Sequence, residues 1–111
     1  MRPFLAKATM VVAVAIAAAN AQEGMYYALG LGNSSCGTWT AARRERQAFG
    51  FEQWILGFLS GVGFQGGERG IDPLNGVDAQ AVWGWTDNYC QAHPLETIAL
   101  AGAAFAHAHP H

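Results

Sequence analysis

Cys36 and Cys90 are the only cysteines in this 111-residue chain. A thiol pair supports three chemistries: a disulfide, a two-ligand metal site, or free thiolate nucleophiles. Three of the four histidines, His107, His109 and His111, form an H-x-H-x-H tail. Imidazoles so spaced suit zinc or copper, but chain ends fray, and the plain expectation is a solvated tail holding no metal. His93 stands before Pro94 at a helix boundary, where an N-cap or surface role is expected. Hydrolytic chemistry needs a nucleophile with its base and orienting group, or a matched carboxylate pair. Glu45, Glu52, Asp72, Asp78, Asp87 and Glu96 are scattered and suit cap or surface positions; Glu52 beside Trp54 and Asp87 beside Tyr89 are the candidates for half-buried acids. Asp72 and Asn75 lie in a glycine-rich loop, yet the alternating oxygen ligands and closing glutamate of a calcium loop are missing. The expectation is a protein with no catalytic residues and no cofactor.

The order of residues at the start separates the three cysteine chemistries. Arg2 and Lys7 precede an uncharged run, Ala8 to Ala18, and Ala19-Asn20-Ala21 supplies a small-x-small cleavage pattern. That order is a secretory signal peptide, predicting cleavage after Ala21. The run is shorter than the roughly 20 residues a membrane span needs, so no membrane association is expected after cleavage. In an exported chain two cysteines read as a disulfide, Cys36–Cys90. Beyond residue 21 the cations are Arg43, Arg44, Arg46 and Arg69 against eight acids, a formal charge of −4 with no lysine. Such a domain lacks the basic face that nucleic-acid binding requires. "ARRER" reads as the solvated end of a helix, where cations suit the negative end of the dipole.

Helices must position these residues. Residues 22–34 show no sustained period and are expected as a flexible N-terminal arm with a short turn. Ser34 or Ser35 can cap a helix from Cys36 to about Arg46. In "FGFEQWILGFLSGVGF", Phe51, Trp54, Ile55, Phe58, Leu59 and Val62 recur at helical spacing and predict the central core helix. Gly57 and Gly61 lie four apart on it and cost roughly 1 kcal/mol each against alanine. Such glycines suggest that another helix packs closely on that face; the alternative is that they line a groove. Residues 65–77 are a glycine- and proline-rich break. Gly57, Gly61, Gly66 and Gly67 are accordingly the candidate binding residues. Asp78 can cap a third helix carrying Val82, Trp85, Tyr89 and Cys90. Pro94 is expected as the first residue of a fourth helix, with Glu96 in its first turn and Leu95, Ile98, Ala101 and Phe105 inward. The prediction is an all-α domain over 35–106, a small bundle of about four helices with one disulfide, ending in the 107–111 tail.

"SCGTW", "WILGFLSGV" and "WTDNYCQAHP" together resemble small periplasmic acid-stress chaperones of the HdeA/HdeB type across roughly residues 35–100. That family has a cysteine opening one helix and another in a Tyr-Cys-x-x-x-Pro-like element; the matching positions are Cys36, Tyr89, Cys90 and Pro94. The departures are the absence of lysine after residue 21, the glycine-rich linker and the four tryptophans. "WILGFLSGV" with the helices after it is also similar to periplasmic immunity proteins that neutralise type VI secretion amidase effectors. Both resemblances imply a periplasmic or secreted helical protein that binds protein, either unfolded clients or one fixed partner, and a homodimer is compatible with both. Eight carboxylates that lose charge near pH 4 would swing such a domain from negative to positive and loosen its carboxylate caps and pairs.

Overall fold

Three of the four helices start where a short polar side chain satisfies an otherwise orphaned amide. Ser35 Oγ accepts from Thr38 N at 3.1 Å, Asp78 Oδ1 from Ala81 N at 2.9 Å, and Thr97 Oγ1 from Leu100 N at 3.2 Å. The computed structural model describes residues 26–111; the signal-peptide reading and the first residues of the arm lie outside them. The helices are α1 (Cys36–Arg44), α2 (Phe49–Gly66), α3 (Ala79–Ala92) and α4 (Ile98–Ala108), with 3-10 turns at Gly30–Asn33 and Gly67–Arg69 and no strand among the described residues. The all-α prediction holds.

Helix α1 packs on α3, α2 on α4, and α3 on α4. Their shared interior holds Trp39, Ile55, Leu59, Val82, Ile98, Ala101 and Phe105 together with both cysteines. Cys36 and Cys90 are disulfide-bonded across a Cα–Cα distance of 4.7 Å, tying the first residue of α1 to the last turn of α3. Within the predicted core of α2 only Ile55 and Leu59 are fully buried; Phe51, Trp54 and Phe58 pack against the core from its edge. The close helix approach belongs to Gly102 on α4, where a Cβ would meet the Phe58 ring at 2.9 Å.

The start of α4 departs from the sequence expectation. Pro94, Leu95 and Glu96 precede the helix, and Leu95 faces solvent at 95% exposure instead of inward. The reason is the hydrogen-bond demand of α1. Glu96 O accepts from Cys36 N at 2.6 Å and Pro94 O from Gly37 N at 3.0 Å, while Ile98 N donates to Ser34 O at 2.9 Å. A turn at Pro94–Leu95, closed by Glu96 N donating to His93 O at 3.1 Å, leads into extended Thr97, and the segment supplies acceptors to the first turn of α1 that a helix there would consume internally.

Within the stretch read as an arm, Gly30–Asn33 is a turn packed on α2 and α4. Trp54 Nε1 donates to Leu29 O at 3.0 Å, and the indole lies so close over Gly32 that a Cβ there would sit 2.2 Å from it. At the other end α4 runs on to Ala108, into the stretch read as a tail. His109 stacks on Phe105 at 4.2 Å, and Pro110 O accepts from Asp72 N at 2.9 Å.

Candidate functional site

Gly57 and Gly61 are exposed on α2, and a Cβ built on either meets nothing within 4 Å. No helix packs on that face; of the two sequence alternatives, the groove is the one observed. The glycines line an open groove of about 550 Å³ with Phe58, Val62, Gln65, Gly66, Arg69 and Ile71. An adjoining hollow of about 380 Å³ shares Phe58, Val62 and Ile71 and reaches Tyr26, Ala103, Ala106, His107 and Pro110. The wall of this surface is mainly apolar, with Arg69 as its cation. Phe64, 89% exposed, lies three residues beyond Gly61 on the same helix.

The remaining two candidate glycines have different roles. A Cβ on Gly66 would stand 2.8 Å from both Cβ and the carbonyl oxygen of Ile71, so Gly66 permits a close chain crossing; Gly67 meets nothing within 4 Å. That crossing orders the break between α2 and α3. Ile71 N donates to Gly66 O at 2.9 Å, Leu74 N to Asp72 Oδ1 at 3.2 Å, and Pro73 is fully buried. The linker bordering the groove is therefore held in place at both of its turns.

A second constellation was not legible as a unit. Arg43 on α1 donates through Nε and Nη2 to the two carboxylate oxygens of Asp87 on α3, at 2.9 and 2.7 Å, and through Nη1 to Glu52 on α2 at 2.8 Å. Its guanidinium lies 5.7 Å from the Trp39 ring centroid and 5.9 Å from that of Trp83. Trp39 Nε1 donates to Asp87 Oδ1 at 2.8 Å and Trp83 Nε1 to Glu52 O at 3.1 Å. The hydrogen bonds to Asp87, with a lesser contribution from Glu52, hold the guanidinium well above the usual arginine range despite partial desolvation. Glu52 and Asp87 are the half-buried acids the sequence suggested, with side chains 18% and 34% exposed. The signal on offer was a pair of i, i+4 repeats, Trp39/Arg43 and Trp83/Asp87. This cluster clamps three helices together.

The histidines sit apart from it. His93 ends α3 as its C-cap, not as a cap of α4; it stacks on Tyr89 at 4.1 Å with Nδ1 2.9 Å from Tyr89 O. His109 repeats that arrangement on Phe105, with Nδ1 3.0 Å from Phe105 O. Among the described residues no group of three or more His, Cys, Asp or Glu side chains could hold a metal ion. No helix among them is long and apolar enough to cross a membrane.

Tyr89 donates its phenol to Glu96. Burial, and then the hydrogen bond to Glu96, push its pKa up to about 12. A folded-state pKa raised above the unfolded value gives stability that is fully present below about pH 10 and lost as pH climbs through about 12. The contribution should be about 1 kcal/mol once solvent screening is allowed for. Phenolate absorbance of the folded protein should show a late transition near pH 12 that is missing in Tyr89→Phe.

The fold and its surfaces define a disulfide-tied, all-α protein with an open, mainly apolar groove. Compared with known protein families, curated proteins and solved structures, the chain matches none.

Proposed function

We propose that this is an exported, non-enzymatic protein-binding module, an acid-stress chaperone in character, whose client surface is the groove along α2. The observation that carries it is the open face at Gly57 and Gly61. Glycine inside a helix costs roughly 1 kcal/mol against alanine, and no neighbouring side chain requires it at either position. Space kept free at the expense of folding is space for atoms of another molecule. The walls, Phe58, Val62 and Ile71, suit apolar side chains of an unfolded chain, and exposed apolar surfaces of this kind are typical of protein contacts. The buried Cys36–Cys90 disulfide supports an oxidising compartment and would hold the chain together while the bundle loosens around a client.

Gly61→Leu separates binding from folding. Leucine should raise stability by roughly 0.5–1 kcal/mol, because it is the better helix former and meets no obstruction. In the same variant, suppression of client aggregation at acidic pH, followed by light scattering, should fall. Wild-type protein that suppresses no aggregation at acidic pH would sink the chaperone reading. Tight capture of one partner at neutral pH without client activity would put the immunity reading in its place.

A further inference from the structure

We propose that a second groove, between α1 and α3, binds an acidic segment of a partner protein, with Arg44 and Arg46 as the carboxylate-binding residues. The groove measures about 440 Å³ and is lined by Thr40, Arg43, Arg44, Arg46, Asp87 and Gln91. Three of the four arginines found after residue 21 therefore share one hollow, on a chain whose remaining charge is mostly negative. Their availability differs. Arg43 is saturated by Asp87 and Glu52, and in turn neutralises the one acid lining the groove. Arg44 and Arg46 are exposed and make no ion pair among the described residues. Glu45, between them in the chain, does not line the groove.

The backbone at Arg46 gives an independent reason to look here. Gln47 N donates to Ala42 O at 2.9 Å and Arg46 N to Arg43 O at 3.2 Å, the paired bonds of a Schellman motif closing α1. Arg46 occupies the left-handed position of that motif with φ 58°, the one non-glycine residue with positive φ among those described. Glycine fits that position without the steric penalty a side chain incurs, and a residue kept there against local preference points to a use for its side chain. The turn brings Arg46 to the groove wall with Arg44. Thr40 Oγ1, on the same wall, is buried without a hydrogen-bond partner.

Charge complementarity selects the occupant. Two exposed guanidiniums on a fixed Trp–Arg–Asp platform match discrete carboxylates through forked hydrogen bonds. A formal charge of −4 beyond residue 21 disfavours extended polyanions such as nucleic acid or an anionic membrane, whose many phosphates would reach past the groove onto a net-acidic domain.

The test uses the protein from residue 22 onward and a fluorescently labelled Glu/Asp-rich peptide, with its Gln/Asn counterpart as control. Anisotropy should show binding of the acidic peptide alone, weakening about tenfold for each arginine removed and falling further in Arg44→Glu/Arg46→Glu. Arg69→Glu and Gly61→Leu should leave it unchanged, because the two grooves share no residue; the outcome is thus independent of the chaperone assay. Arg46→Gly should weaken peptide binding while raising the melting temperature by about 4 °C, a split that a purely structural role for Arg46 would not produce. Equal binding of the two peptides, or wild-type affinity in the double charge reversal, would overturn the proposal. So would self-association, or binding to inorganic phosphate or anionic vesicles, that is stronger than peptide binding and lost in the same double variant.

Discussion

Replacing both Cys36 and Cys90 with alanine should lower the free energy of unfolding by about 4 kcal/mol, read from denaturant titration. The bridge closes a sequence separation of 54 residues, and the chain-entropy treatment of a loop that long gives about 4 kcal/mol at room temperature. Typical domains have 5–15 kcal/mol in all, so the variant is expected at the edge of stability. Alanine is the informative choice because both cysteines are fully buried. Serine would add a buried hydroxyl to the loss and confuse the two effects. Both sulfurs are also shielded, so reductant should act on the wild type only through opening of the α1–α3 contact. Reduced wild-type protein should then unfold at the denaturant midpoint of the alanine variant. A loss below about 1 kcal/mol would show that the unfolded chain is already confined without the bridge.

Much of this bundle is legible in the sequence, and the parts that are not share a physical cause. Ser35 and Asp78 announce α1 and α3 because a cap is a local arrangement, decided within four residues. The cysteine pairing follows from there being two cysteines, which allow one intramolecular pairing. Leu95 was misplaced because its segment is shaped by the unpaired amides of α1, some sixty residues earlier in the chain. No local pattern records that demand. Arg43 was grouped with Arg44 and Arg46 as a solvated helix end, which describes only the latter two. Its partners Glu52 and Asp87 are only candidates for half-buried acids in the sequence, because which helix faces which is a tertiary fact. Gly57 and Gly61 suggest helix packing in the sequence and border a groove in the fold, since a helix glycine looks the same in sequence whether its missing side chain makes room for a neighbour or for nothing. The close-approach glycine was Gly102, inside the alanine-rich run of α4, where a small residue attracts no notice.

The other large effect is expected at Trp39. Its side chain is fully buried at the α1–α3 contact, its indole donates to Asp87 at 2.8 Å, and the Arg43 guanidinium lies over its ring. Trp39→Ala should cost about 4 kcal/mol, the sum of lost apolar burial and the cavity left behind. Trp39→Phe keeps much of the burial and removes the N–H donor. Asp87 still has both bonds from Arg43 in that variant, so the expected cost is about 1–2 kcal/mol. Arg43→Met probes the other half of the clamp. It leaves Asp87 and Glu52 without their cation, but both acids are partly exposed, so about 2 kcal/mol is expected, below the 3–5 that breaking a fully buried pair costs. A double-mutant cycle of Trp39→Phe with Asp87→Asn then isolates the indole–carboxylate bond, because residues in one network do not add. The predicted order of stability is wild type, then Trp39→Phe, then Arg43→Met, then Trp39→Ala, measured by denaturant unfolding at neutral pH. Were Trp39→Phe as damaging as Trp39→Ala, the ring's burial would be the minor contribution and the hydrogen-bonded carboxylate the point on which the three helices depend.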